Sequence, residues 1–112
     1  MVRLFVRLHA PACQARAIED ALRTLMRATR LEPGCTECQV WTIVEEADGP
    51  SEVHYEERWA SERAIENRVR SEAFTKLLEV LEAASDVPRV QFDFVSRHQG
   101  LEYVENVRRP HE

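Results

Sequence analysis

Apolar and polar residues alternate with a period of two from Val2 to His9. Val2, Leu4, Val6 and Leu8 make one face; Arg3, Phe5, Arg7 and His9 make the other. The pattern predicts a first strand with one buried side. Pro11 ends it. From Cys13 to about Leu31 the period becomes helical: Ile18, Ala21, Leu22, Leu25 and Met26 share a stripe, and Glu19, Asp20, Arg23, Arg27 and Arg30 lie off it. Pro33-Gly34 is the stop signal for that helix. Cys35 to Glu46 returns to strand, with Val40, Trp41, Ile43 and Val44 as strand-favouring side chains. Ala47-Asp48-Gly49-Pro50 reads as a turn, and Glu52 to Trp59 as a third strand that completes a hairpin.

In the third strand Val53, Tyr55, Glu57 and Trp59 alternate with His54, Glu56 and Arg58. Ser61 then offers an N-cap for a short helix through Val69. Ser71 caps a second helix, whose stripe is Phe74, Leu77, Leu78 and Leu81. These helices run to about Ala84, and Asp86 to Pro88 connects to a last strand, Arg89 to Arg97. There Val90, Phe92 and Phe94 oppose Gln91, Asp93, Val95 and Arg97. His98 to Glu112 is polar, with Leu101, Tyr103, Val104 and Val107 scattered through it, and reads as a loose tail or an arm lying on a partner.

The order strand, helix, strand, strand, helix pair, strand predicts an α+β fold. It is the ferredoxin-like split βαβ arrangement, a four-stranded antiparallel sheet with helices on one face. Residues 1–98 make the domain and 99–112 the tail. The uncovered face carries Phe5, Trp41 and Val95, which points to a homodimer packed sheet against sheet. Arg3, Arg7 and Arg58 would pair across that interface with Glu37, Glu56 and Asp93.

The chain has 112 residues and a net charge of −5. That length suits one domain with a modest core. The acidic balance, with arginines interleaved among glutamates, argues against nucleic acid. No apolar run approaches the ~20 residues that cross a bilayer. The start is too short and too charged for a signal peptide, so the expectation is a cytoplasmic protein with reduced cysteines and no membrane partner.

Several short motifs resemble one family. Glu32-Pro33-Gly34-Cys35 opens a strand and Glu57-Arg58-Trp59 closes the hairpin. Ala64-Ile65-Glu66-Asn67 and Ser71-Glu72-Ala73-Phe74 follow. Over Val2 to Arg97 the chain is similar to the antibiotic biosynthesis monooxygenase domain, a branch of the dimeric α+β barrel superfamily. The resemblance implies a homodimeric barrel in which each subunit holds a cavity between sheet and helices. It also implies oxygenation of a phenol or quinol by dioxygen, without flavin, haem or metal.

Such chemistry needs an electron-rich phenol that becomes a phenolate, an apolar slot and a polar group that favours the anion. Tyr55, Trp59 and Phe74, with Phe92 and Phe94, are the candidate walls. Arg68 is the candidate for stabilising a phenolate, and Asn67 for orienting a ring oxygen. The competing reading is structural: aromatics on apolar faces pack, and a helix arginine is usually solvated. Many family members carry a histidine where this chain has Arg68, and Pro-His where it has Glu72-Ala73, so a histidine acid or base is missing from this helix. The haem-degrading branch ligates iron through a histidine at a position that appears here as Leu78, which excludes haem. A non-catalytic ligand-binding or interaction module of the same fold is the alternative function.

Two further constellations carry metal- or redox-type side chains. Cys35-Thr36-Glu37-Cys38 has the spacing of redox and zinc sites. In a regular strand, however, residues three apart face opposite sides, and no helix start lies nearby to lower a thiol pKa. His9, His54 and Glu56 could share the open face as metal ligands if the register converged them. An interface polar cluster is the simpler reading.

Overall fold

The N-terminal alternation builds β1 (Val2–Ala10), whose Val2, Leu4, Val6 and Leu8 are buried against the helices. The structure is a computed structural model that describes residues 1–44, 49–94 and 98–110. β1 is followed by α1 (Ala12–Thr29), β2 (Cys35–Val44), β3 (Ser51–Trp59), α2 (Glu62–Arg70), α3 (Glu72–Glu82) and β4 (Arg89–Asp93). The chain ends with β5 (His98–Gln99) and α4 (Glu102–Arg108). The sheet order is β2-β3-β1-β4-β5, and every pairing is antiparallel. The split βαβ expectation therefore holds for the first four strands. Glu45, Glu46 and the Ala47-Asp48 half of the expected turn lie outside the described residues, as do Val95–Arg97 at the end of the last expected strand.

The helices bury their predicted stripes in one core with the inner face of the sheet. Ile18, Leu22 and Met26 of α1 are buried, joined by Ala15 and Thr29; Ala21 and Leu25 are only partly covered. Ser61 Oγ accepts from the Ala64 N–H at 3.2 Å, and Ser71 Oγ from the Phe74 N–H at 3.2 Å. Both helix starts are thus capped where the sequence placed the caps.

Pro33-Gly34 does not end α1, which stops at Thr29. It forms a separate turn, closed by the Cys35 N–H donating to Glu32 O at 3.1 Å. Gly34 has φ of 88°, and a Cβ there would stand 2.6 Å from Ala64 Cβ. Proline then glycine at the two central positions, the second with positive φ, is the arrangement of a type II turn. The missing side chain also lets α2 sit directly on the turn, which brings Glu32 beside α2.

The last segment is not loose: it folds onto its own chain. β5 pairs with β4, and Tyr103, Val104 and Val107 form the buried side of α4. Tyr103 packs its ring against Phe92 and Phe94, with centroids 4.8 and 5.1 Å away. The apolar positions that look scattered along the chain coincide once wound at helical pitch.

The open face carries Phe5, Trp41 and His54 as a contiguous aromatic cluster, with centroids 5.1 to 6.2 Å apart. Its charges are paired within the chain and need no second copy for that. Arg3 meets Glu56 and Asp93, and Arg58 lies 3.2 Å from Glu56 and 3.5 Å from Glu37. Arg7 lies 3.7 Å from Glu52. Arg3 stands opposite Arg58 and Phe5 opposite Glu56, so Arg3 reaches Glu56 on the diagonal and not across the directly opposed position.

Candidate active site

On the inner face, β3 presents Val53, Tyr55, Glu57 and Trp59 to the helices, and all four are buried. Three of these cannot simply pack, because they carry polar atoms, and each is satisfied at Glu57. Trp59 Nε1 donates to Glu57 Oε1 at 2.9 Å. Tyr55 OH donates to Oε2. Arg68 reaches down from α2 and clamps the carboxylate with both edges of its fork, Nε to Oε1 at 3.1 Å and Nη2 to Oε2 at 2.9 Å. The side chains of Arg68 and Glu57 are 1% and 0% exposed. A bidentate, fully hydrogen-bonded geometry is what makes a charge pair tolerable out of water.

Arg68 has two further partners. Its Nη2 donates to Thr29 Oγ1 at 3.2 Å, and its Nη1 lies 3.3 Å from Glu32 Oε2. Phe74 lies beneath the guanidinium, 5.4 Å from ring centroid to Cζ. Burial by itself would pull the Arg68 pKa down; the Glu57 charge and its hydrogen bonds outweigh burial and hold it above the usual value. Burial, and then the Glu57 charge, push the Tyr55 hydroxyl well above its ordinary pKa.

Four of the expected site residues, Tyr55, Trp59, Phe74 and Arg68, therefore meet in one buried network. Asn67 does not join them. It is exposed on α2, at the rim of a small cleft of about 150 Å³ shared with Glu32, Pro33, Trp59, Ala64 and Arg68. A second cleft of about 240 Å³ lies between α1 and α3, bordered by Leu25, Ala28, Thr29, Glu32, Arg68 and Lys76. Glu32 and Arg68 border both. Arg68 is not the solvated arginine of the structural reading, nor a free cation awaiting an anion: two carboxylates already hold it.

Sequence reasoning did not single out Glu57, Glu32 or Thr29. Glu57 had a signal, since a carboxylate in phase with Val53, Tyr55 and Trp59 must face the core. Glu32 had none, because it sits in a turn without periodicity. Its Oε2 is buried and accepts no hydrogen bond among the described residues. Burial raises the Glu32 pKa, the Arg68 charge lowers it, Glu57 raises it, and the result lies above the ordinary carboxylate value.

Cys35 and Cys38 correct an expectation drawn from strand periodicity. The register shifts between Cys35 and Glu37, so Cys35 stands opposite Trp59 and Cys38 opposite Glu57. Trp59 and Glu57 share the inner face, and the bulge therefore turns both cysteines inward. Burial pushes both thiols up, Cys38 to about 12, opposite to what a reactive pair needs. Cys38 Sγ donates to Tyr55 OH at 3.5 Å, so it belongs to the edge of the same network. Among the described residues no cluster of histidine, cysteine and carboxylate side chains is suited to a metal ion. His54 and His9 instead flank Glu52, at 2.5 and 3.2 Å. No described helix is long and apolar enough to cross a membrane.

The sheet with its roof of helices and the polar network between them define an α+β ferredoxin-like protein with a buried charged centre. The model of the antibiotic biosynthesis monooxygenase family matches residues 1–80, and the chain belongs to that family. A search of curated proteins returns no match. Solved structures share the fold at low identity. A candidate antibiotic biosynthesis monooxygenase from Deinococcus radiodurans is 21% identical with a TM-score of 0.69, covering 87% of this chain and 94% of that one. A conserved Bacteroides thetaiotaomicron protein, suggested to be an oxidoreductase, is 13% identical with a TM-score of 0.70, covering 82% and 94%. A candidate monooxygenase of the same family from Nitrosomonas europaea is 11% identical with a TM-score of 0.67, covering 87% and 100%.

Proposed function

We propose that the protein is a cofactor-independent oxygenase of the quinol monooxygenase type, acting on a small phenol or quinol at the Glu32 clefts. The observation that carries this reading is Glu32 itself. It is a carboxylate of raised pKa with a buried, hydrogen-bond-free oxygen, bordering two clefts and standing 3.3 Å from a fixed cation. Glu32 Oε2 takes the phenolic proton. The phenolate then lies beside Arg68, and the charge of the site is unchanged, because the negative charge moves from Glu32 to the substrate. Glu57 keeps the Arg68 guanidinium in place throughout. The electron-rich ring supplies all the electrons to dioxygen. One oxygen atom becomes bonded to a ring carbon, and the quinol leaves as a hydroxyquinone. The other oxygen leaves as water with the proton that Glu32 took up, while Trp59, Ala64, Leu25 and Ala28 limit the access of water.

The clefts, at about 150 and 240 Å³, fall below the ~300 Å³ at which drug-sized pockets begin. They favour a single ring over a fused polycycle. The working form in this reading is a homodimer, with Phe5 and Trp41 covered by a second copy; size-exclusion chromatography with light scattering measures it directly. The test of activity is oxygen uptake with a panel of substituted hydroquinones and no added cofactor. Turnover is expected, falling about 10²-fold or more in Glu32→Gln, the range for loss of a positioned proton acceptor. Uptake that is indifferent to Glu32→Gln sinks the assignment.

One observation favours a second reading, a binding module without catalysis. Tyr55 and Phe74 are at most 2% exposed and border neither cleft, and Trp59 borders only the smaller one. Saturable binding of hydroquinones with no oxygen consumption would decide for it.

A further inference from the structure

A groove of about 550 Å³ lies where α2, α3 and α4 meet, and it belongs to neither cleft described above. Its polar lining is Arg70, Ser71, Glu72, Thr75, Arg108 and Arg109. Two of the arginines are fixed in place by backbone carbonyls. Arg70 Nε donates to Val107 O at 3.3 Å, from α2 to α4. Arg108 returns the contact: Nε donates to Val69 O at 2.7 Å, and Nη2 to Ser71 O at 3.3 Å and Thr75 Oγ1 at 3.2 Å. Neutral acceptors hold Arg108 without cancelling its charge. Arg109 makes no ion pair or side-chain hydrogen bond among the described residues.

Among the described residues, the charges that oppose these three guanidiniums are Glu72 in the groove and Glu66, 3.7 Å from Arg70. Three positive against two negative leaves one positive charge, in a chain whose net charge is −5. Among the described residues, Arg108 Nη1 and Arg70 Nη2 keep unused N–H donors, and Arg109 keeps its whole fork. A planar fork with free donors suits a carboxylate or phosphate, and donors already ordered by other bonds lose little freedom on binding.

We propose that this groove is a binding site for a small molecule that presents a phosphate or carboxylate oxyanion to Arg70, Arg108 and Arg109. Arg108 serves both as the tie that holds α4 on α2 and as part of the binding surface. Arg109 serves only the ligand. The site does not depend on the oxygenase reading.

The test is calorimetric titration of the whole chain with phenyl phosphate, inorganic phosphate and benzoate at constant ionic strength. Saturable one-to-one binding of at least one probe is expected, about tenfold weaker in Arg109→Ala, the loss of one charge-assisted contact. Arg109→Ala is expected to unfold like the parent chain, because its side chain holds no other group among the described residues. Glu72→Gln is expected to tighten binding by removing the opposing charge. If phenyl phosphate and inorganic phosphate bind alike and benzoate does not, the groove reads phosphate; the reverse assigns carboxylate. No saturation by any probe in the millimolar range, or affinities unmoved by Arg109→Ala, overturns the proposal.

Discussion

Glu57 faces the helices and Glu56 faces the open side of the sheet, and arginine holds each of them. The two carboxylates are neighbours on β3 and both are nearly inaccessible. Their partners differ. Arg68 is 1% exposed, whereas Arg3 and Arg58 are 36% and 41% exposed. Water can replace Arg58 at Glu56. Nothing can replace Arg68 at Glu57, where Tyr55 and Trp59 occupy the remaining positions. An ion pair is therefore a structural necessity on one side of this strand and a substitutable convenience on the other.

The sharpest way to break the comparison is to remove the inner arginine. Arg68→Ala leaves Glu57 charged and unpaired in the core and is expected to cost about 3–5 kcal/mol, read by urea denaturation. Replacing the pair together, Glu57→Leu with Arg68→Met, is expected to recover most of that loss, since no buried charge remains. A single-variant cost below about 1 kcal/mol would show that water reaches the network after all. Next in size is Tyr55→Phe. It deletes the donor to Glu57 Oε2 and the acceptor of the Cys38 thiol, and about 1–3 kcal/mol is expected by the same measurement. On the open face Arg58→Ala is expected to cost under about 1 kcal/mol, because Arg3 still holds Glu56. A cost equal to that of Arg68→Ala would erase the distinction.

The smallest effects are in pH dependence, and the two sides should slope in opposite directions. The folded pKa of Glu32 is raised above 4.5, so the folded state binds its proton more tightly than the unfolded chain does. The stability this contributes is present below the ordinary carboxylate value and lost as pH rises through the folded pKa. Glu32→Gln should remove that fall. Glu52 on the open face is lowered, chiefly by its hydrogen bond to His54. Its contribution is present above the ordinary value and lost as pH falls through the folded pKa, and Glu52→Gln should remove that loss instead. Denaturation midpoints of the two variants across the acid range test both signs. Parallel slopes would mean that Glu32 is not held in a desolvated site.

Much of the architecture can be read from spacing alone. Strand alternation and helical stripes name the faces that must be buried, because burial selects side chains by direction and direction is periodic along a regular backbone. This is why β1, β3, the caps at Ser61 and Ser71, and the inward direction of Tyr55, Glu57 and Trp59 are legible. The family motifs, from Glu32-Pro33-Gly34-Cys35 to Ser71-Glu72-Ala73-Phe74, lie on those same elements. α4 was not legible as part of the domain. Its seven residues supply too short a stripe to separate from a polar segment.

Three things were decided only by the folded chain. A bulge after Cys35 turned both cysteines inward, and a one-residue slip leaves no trace in the composition of a strand. The Glu32 turn came to rest on α2 because Gly34 lets Ala64 approach, a contact between residues thirty positions apart. The partners of Arg68 came from α1, the Glu32 turn and β3, which no local pattern connects. Periodicity determines which way a side chain points; whom it meets depends on distances that exist only once the elements pack.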